Sequence, residues 1–560
     1  MGVLVAVVPQ FVNAATSPVD AGTLMQEQER QMPALPAAGQ ATTPEVAAPE
    51  EVTGKDAVKA MIKGFEISGN TVFESSVLLA LLQDCVGKEM GIIELRRAAN
   101  LIADHYRKSG RLAKVYLPDQ DLVDGIVRIE ILESKFGKLI IERGDDDKLR
   151  LKDWVAQNFG THGQEPGRAL DVYAVQRSTN LLNDLPGVSA SAFLQKGEAE
   201  GETDVVMKLR DTPVASGMLM FDNYGNRSTG VGKVTAFLAL ENAIGYGEQF
   251  SFIGSKTVGM NFGRLNVNFP VGSNGLRLGA SYSALNYDVL NADNNTDPDG
   301  HGRTYGLEAK YPLIRANTGN LFLNANWEHR QFNDYSANLE TSDRELKVFS
   351  LELAGNKVDN FGGAGVTSAS IDYHSGNLDL SGNQFAWAND QLTTNSDGHY
   401  SKAAWTLNRL QRLSENNSLW LSASGQFAWN NLDTSEKMVL GGPYGVRAYP
   451  VSEALGDEGY QVTAELRRQF MQQLQGIAFY DFGHIKVNND TWPGDNGKNE
   501  YSLKGPGLGL VWTEAGNYSF RLTYARRIGE NPIRNDGYNG KDSDGSKIED
   551  RVWAAFVKYF

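Results

Sequence analysis

The chain has 560 residues, too many for one ordinary domain, and 53 basic against 68 acidic side chains, a formal charge of −15. That balance, with no basic cluster, excludes a nucleic-acid binder whose affinity rests on neutralising phosphates. A single cysteine, Cys85, excludes a disulfide framework or a multi-cysteine metal site, and Leu81, Leu82 and Val86 around it suggest a buried structural thiol.

No apolar run reaches the roughly 18 to 20 residues of a helical membrane span, a test that leaves a β-barrel open. Val3-Leu-Val-Ala-Val-Val8 followed by Val12-Asn-Ala-Ala15 reads as the remnant (residues 1–15) of a secretory signal that starts upstream of Met1 and is cleaved near Ala14 or Ala15. A short buried strand is the alternative. Residues 16–57 are rich in Ala, Pro, Gln and Glu and read as linker, except that Ala21 to Met32 is made of helix formers, and its composition fits a short, mainly polar helix and plain disorder equally well. Too short to hold itself in water, such a helix needs a cavity or a partner.

Residues 58–135 have the periods of a small α+β module. Ile67 and Val72-Phe73 flank the turn Ser68-Gly-Asn70; Leu95, Ala98, Ala99, Ile102 and Tyr106 recur at helical spacing; Val115-Tyr-Leu117 and Ile126 to Ile131 read as strands. Residues 136–212 repeat the plan with a strand at Lys138–Ile141, helices at Leu151–Phe159 and Tyr173–Leu182, and strands near Ala190–Phe193 and Val205–Leu209.

From residue 213 to 560 the period becomes two. Leu265, Val267 and Phe269 oppose Arg264, Asn266 and Asn268, and Tyr518, Phe520, Leu522 and Tyr524 oppose Ser519, Arg521 and Thr523. Such strands make either a soluble sandwich or a membrane barrel. Strands of about ten residues, short turns alternating with long polar loops such as Asn291–Arg303, Asn389–Gly398 and Asn531–Glu549, and a terminal aromatic, Phe560, favour the barrel. Sixteen strands are expected, starting near Val214, Gly230, Gly247, Asn261, Gly275, Arg303, Asn320, Arg344, Gly365, Tyr400, Ser418, Glu458, Leu474, Leu503, Asn517 and Asp550. An even count closes the sheet around a polar, water-accessible lumen. Lys558 shares a face with Phe556 and Phe560, so it must sit near the interface; at the midplane it would cost about 2–4 kcal/mol.

The connection at about 431–457 is unlike the other loops. Val439-Leu-Gly-Gly-Pro-Tyr-Gly-Val-Arg-Ala-Tyr-Pro450 cannot be a strand, and it sets one arginine, Arg447, among apolar and aromatic neighbours. Such a segment packs back against the molecule, where an enclosed Arg447 needs a carboxylate. In the following strands, Glu465 and Asp481 alternate with the more apolar faces and therefore point into the lumen. No catalytic, cofactor or metal site is expected: the seven histidines are scattered. Gly225 to Lys233 lacks a phosphate-loop glycine at Arg227, and Asp542-Ser-Asp-Gly545 has its glycine too early for a calcium loop, so both read as solvated loop residues.

Taken together, these residues resemble the outer-membrane transporters of two-partner secretion, relatives of the filamentous-haemagglutinin and haemolysin secretors, nearly end to end. Ser68-Gly-Asn-Thr-Val-Phe73, Tyr106-Arg-Lys-Ser-Gly110 and Val115 to Gly125 resemble the first polypeptide-transport-associated (POTRA) domain; Leu181 to Val188 and Gly201 to Val205 resemble the second. Asp222-Asn-Tyr-Gly225 with Ser228-Thr-Gly230 is similar to the family's first barrel hairpin. Val446-Arg447-Ala448-Tyr449 is similar to its loop motif, with Ala448 in place of glycine, and Phe479-x-Asp481-x-Gly483 to its strand motif. The resemblance implies a mainly β, monomeric sixteen-stranded barrel in outer-membrane lipid, two periplasmic POTRA domains, an N-terminal plug helix and the sixth extracellular loop folded into the pore. In it the loop arginine pairs with the strand aspartate, making Asp481 the first partner of Arg447 and Glu465 the second. It further implies that the POTRA domains capture an unfolded exoprotein, a large β-helical adhesin, cytolysin or contact-dependent inhibitor, and that the barrel passes it outward without ATP. Phe65, Ile67 and Val72, near the first module's edge, are the candidate capture residues. The alternatives are an assembly insertase of the same superfamily, which should carry more periplasmic repeats, and a passive porin, which has no need of two modules.

Overall fold

The computed structural model describes residues 19–32, 59–121, 124–144, 149–290, 297–495, 497–532 and 540–560. The signal remnant and the linker at 33–58 lie outside them. The period-two region forms a closed antiparallel barrel of sixteen strands: Ala215–Asp222 (β1), Lys233–Glu241 (β2), Gln249–Lys256 (β3), Met260–Val271 (β4), Leu276–Asp288 (β5), Asp299–Arg315 (β6), Gly319–Ser336 (β7), Leu339–Asp359 (β8), Gly365–Asp379 (β9), Gly398–Arg412 (β10), Asn417–Ala428 (β11), Glu458–Gln469 (β12), Leu474–Lys486 (β13), Glu500–Glu514 (β14), Tyr518–Arg526 (β15) and Asp550–Tyr559 (β16). β16 closes the ring on β1, from Ala555 opposite Asp222 to Tyr559 opposite Met218.

The outward positions are the apolar ones. Leu265, Leu307, Ile371 and Leu508 are each more than half exposed, as a surface facing lipid requires. Lys558 also faces outward, but it lies opposite Tyr518 at the end of β16, and its ammonium donates to Asn517 in the turn before β15. That places it at the membrane edge. The largest departure from the expected strand starts is at β8, which begins at Leu339. Ala337 and Asn338, both at positive φ (51° and 61°), make a tight two-residue turn that lets the β7–β8 hairpin run on. The loop before β10 holds a helix that polar composition concealed, Gln384–Leu392, started by Asn383 accepting from the Ala386 N–H at 3.0 Å.

At the end of the barrel with short turns sit two α+β modules. In the first, Gly64–Ser68 runs parallel to the central Ile126–Glu133, and Ala113–Tyr116 runs antiparallel on its other side. The helix Ile92–Lys108 buries Leu95, Ala98, Ala99, Ile102 and Tyr106 against Val127, Ile129 and Ile131. Cys85 is half-buried at the edge of this cluster. Thr71 and Val72 leave the strand and are held by Glu133, whose carboxylate accepts from both of their N–H groups at 2.9 Å and from the Tyr106 hydroxyl at 2.7 Å. Burial alone would raise the Glu133 carboxyl, but these donors outweigh it and hold it below its ordinary value. A depressed carboxyl stabilises the fold above its unfolded pKa and loses that contribution as pH falls through the folded one. Glu133→Gln is therefore expected to lower the module's unfolding free energy by about 1–3 kcal/mol at pH 7 and by less near pH 3, measured by urea titration at both pH values.

The second module repeats the order. Lys135–Arg143 is parallel and Val188–Lys196 antiparallel to the central Glu202–Asp211. Its helices span Asp153–Gly160 and Val172–Asn183, the latter capped by Asp171 accepting from the Tyr173 and Ala174 N–H groups. It is seated on the short barrel turns. Asp184 takes both guanidinium arms of Arg315 at 2.7 Å, Asn180 donates to Asn317, and Lys152 lies 3.7 Å above the Tyr246 ring.

Candidate functional site

The connection between β11 and β12 turns into the barrel. Met438–Val439 pairs with Leu455–Gly456, so Val439 ends a two-residue strand, and from Leu440 to Ala454 the backbone is irregular. Leu440 and Gly441 donate to the Ala454 and Glu453 carbonyls, and Val446 donates to Leu440 O at 2.7 Å, which folds the tip on itself. Positive φ falls at Gly442, Ser452 and Ala454, not at Ala448. The glycine expected at 448 is thus not needed for backbone conformation. The Ala448 methyl is buried against β14, where Gly505 leaves it room: a Cβ there would lie 2.6 Å away.

At the tip, Arg447 is 7 % exposed, and Asp481 and Glu465 are 1 % and 3 % exposed. Its Nε and Nη2 donate to the two oxygens of Asp481 at 2.8 Å each, its backbone N–H adds a third bond to that carboxylate, and Nη1 donates to Glu465 at 2.7 Å. Thr463 also donates to Asp481, and Arg467 to the far oxygen of Glu465. The guanidinium carbon stands 3.3 Å over the Phe479 ring, and the Trp553 indole donates to Arg447 O. Phe479, Asp481 and Gly483 lie two apart on one strand and so share its inner face. The first supplies a ring and the second a carboxylate. The third supplies space, because a Cβ at Gly483 would meet Leu440 and Val446 at about 3 Å, as the 2.9–3.1 Å separations there show. Val446 and Tyr449 are each 1 % exposed and complete the apolar packing around the pair.

A second cluster, invisible in the sequence, joins this loop to the N-terminal helix. The helix spans Ala21–Arg30 and lies inside the barrel with Ala21, Leu24 and Met25 buried against Leu285, Tyr287, Phe332 and Leu346. Apolar packing fills this part of the lumen, with charged groups beside it. Asp20 caps the helix by accepting from the Thr23 N–H, and Arg344 of β8 donates to Asp20 (3.0 Å), Asp334 (2.8 Å) and Asp433 (2.9 Å). Farther along, Glu29 meets Arg264, Gln26 donates to Lys437 O, and Ser452 donates to Glu27. Loop and helix are therefore bound to the wall and to each other. Glu436, Lys437 and Asp457 add buried pairs: Glu436 with Arg330 and Lys402, Lys437 with Asp457.

Two expectations about solvated loops fail. Asp542 is fully buried, paired with Arg527 at 2.9 Å and accepting from Asn531, while Lys233 is 3 % exposed with its ammonium on Gln31. Loop composition cannot show that the segment of Asp542 folds inward, and Lys233 lies in no loop, being the first residue of β2. Phe65 and Ile67 do lie on an edge strand, but their side chains, with Val72, pack toward the module's core. What that edge leaves open is backbone.

A family model described as haemolysin secretion/activation protein ShlB/FhaC/HecB matches residues 201–510, and one for the ShlB-type POTRA domain matches residues 60–134. The chain is 25 % identical over 524 residues to the heme/hemopexin transporter protein HuxB of Haemophilus influenzae (strain 86-028NP), covering 91 % of this chain and 92 % of that protein. It is 24 % identical over 520 residues to the outer membrane transporter CdiB of Escherichia coli, covering 89 % and 84 %. The solved structure of CdiB from Escherichia coli superposes with a TM-score of 0.74 at 20 % identity, over 93 % of this chain and 94 % of that one. The chain belongs to the ShlB/FhaC/HecB family, the outer-membrane transporters of two-partner secretion, with its barrel in the outer membrane and its POTRA region in the periplasm.

Proposed function

We propose that the periplasmic modules capture an unfolded exoprotein and feed it to the barrel, which passes it outward without ATP while Arg447 holds the loop in the pore. The observation that carries the capture step is the open edge of the first module: Gly64–Ser68 pairs on one side only, with Ile126–Glu130. A parallel edge of this kind can add an extended chain through main-chain hydrogen bonds, giving affinity that tolerates many sequences. The second module, fixed to the barrel turns through Asp184 and Arg315, sets the first close to the mouth. The transporter works as a monomer in outer-membrane lipid, and its partner is a secreted protein of the adhesin, cytolysin or contact-dependent inhibitor kind. The relative in Haemophilus influenzae is named for heme and hemopexin, and a related cargo is one case within that range.

Deleting the chain and comparing culture media identifies the partner as the large protein that disappears. Residues 59–211 are then expected to bind its N-terminal domain weakly, with Kd of about 10⁻⁴ to 10⁻⁶ M by calorimetry, because the extended chain must be ordered on binding. Folded modules that show no binding would refute the capture step.

A further inference from the structure

On its inner wall the barrel is not uniform. Val358, Val366, Leu410 and Trp420 stand opposite one another on β8, β9, β10 and β11. They share the parity of Leu346, Leu378, Tyr400 and Ala428 on the same strands, all of which pack in the cluster around the helix. They therefore face the lumen. Val358, Val366 and Leu410 are 46 %, 40 % and 42 % exposed, open to the pore rather than covered by the helix or loop. Above them the facing row is Asn356, Ser368, Asn408 and Ser422, and the next is Ala354, Ser370, Thr406 and Ser424. None of these side chains is charged.

Deeper in the lumen charges appear on both sides: the row of Arg277 and Lys310 on β5 and β6 continues through Asn324 to Glu352 and Asp372 on β8 and β9. Arg264, Arg277, Glu308 and Lys310 face the lumen on β4 to β6, and Arg264 reaches the helix through Glu29. Strand register gives these uncharged rows a direction. Val358 and Val366 are at the periplasmic rim, and the same row continues through Trp420 to Glu465 and Phe479, the two residues beneath Arg447. An apolar row open to water inside a pore cannot be explained by lipid contact. It suits a partner that enters from the periplasm and shows apolar and uncharged side chains, which a folded protein would bury.

We propose that the periplasmic part of β8 to β11 forms the track on which the exported chain enters the pore, the apolar row receiving it at the rim and the Ser/Thr/Asn rows passing it inward. The occupant is an extended polypeptide in transit, held by short-lived apolar contacts and by backbone bonds to small polar side chains. Over these rows no fixed charge offers a strong site at which the chain would stall; charges begin only in the next row, with Glu352 and Asp372. The β4–β7 wall serves as the bed of the helix. This assignment rests on the secretion reading above.

The test uses the full-length transporter expressed with the exoprotein whose loss from the medium follows its deletion. A benzoyl-phenylalanine at position 366 or 410 is expected to cross-link to that exoprotein when export is stalled by a fused folded domain; the same probe at position 310 or 324 is not. Leu410→Asp and Val366→Asp are expected to reduce secretion about tenfold, because a fixed charge now lies in the apolar row, whereas Leu410→Met keeps it. Heat-modifiable migration reports insertion of each variant. Equal cross-linking from both walls, cross-links confined to the chain's own residues 33–58, or normal secretion by both aspartate variants would overturn the track. Absence of any lost exoprotein would instead remove the secretion reading and the track with it.

Discussion

Arg447→Ala is expected to abolish nearly all secretion while the barrel still inserts and keeps its heat-modifiable migration. Of the four hydrogen bonds Arg447 donates to two carboxylates, the backbone bond to Asp481 can persist, but both guanidinium bonds to Asp481 and the one to Glu465 are lost. Asp481 is then a buried carboxylate with only Thr463 and a backbone N–H left, and breaking an enclosed pair costs about 3–5 kcal/mol. Were Arg447 a solvated loop residue, its loss would matter by less than about 1 kcal/mol, but its burial between Phe479 and two carboxylates leaves little room for that. The partners should not be equal. Glu465 keeps Arg467 when Arg447 is gone, so Glu465→Gln is expected to reduce secretion less than Asp481→Asn. Arg447→Lys should behave like the alanine variant, since an ammonium cannot span both oxygens of Asp481 and reach Glu465. Exoprotein in the medium, normalised to inserted barrel, is the measurement. Normal secretion by Arg447→Ala would mean that the loop is not anchored through this residue.

How much of this was legible in the chain depends on the distance over which each contact is encoded. Strand parity is local, so Glu465 and Asp481 could be pointed into the lumen from their immediate neighbours, and an arginine among glycines and aromatics could be matched to them. The amphipathic face of Ile92–Lys108 was legible for the same reason. The Arg344 cluster was not. Asp20, Asp334 and Asp433 are ordinary polar residues in a linker, a strand end and a loop, and only closure of the barrel brings them to one guanidinium. Asp542 failed in the same way, because a polar loop that folds inward has the same composition as one that does not, whereas Lys233 belongs to β2 and not to a loop. The helix Gln384–Leu392 was concealed by Asn, Asp and Gln, residues that mark loops as often as caps.

Removing residues 19–32 is expected to raise single-channel conductance in planar bilayers while leaving secretion partly intact. The helix fills the lumen on the β5–β7 side, and its deletion exposes the apolar bed of Leu285, Tyr287 and Phe332 to water. A point substitution should reach much of the same state. Arg344→Ala leaves Asp20, Asp334 and Asp433 around one site with no guanidinium, so three carboxylates that were paired now repel one another. Stranding buried charge costs about 3–5 kcal/mol, and each 1.4 kcal/mol shifts an equilibrium about tenfold, so a helix seated nearly all the time becomes one that leaves often. Asp20→Asn should act more weakly, because an asparagine still accepts from the Thr23 N–H and caps the helix. The expected order of open-state occupancy is deletion, then Arg344→Ala, then Asp20→Asn, then the natural chain. Unchanged conductance after deletion of residues 19–32 would show that the helix does not limit the pore, and the apolar bed on β5 to β7 would then be packing alone.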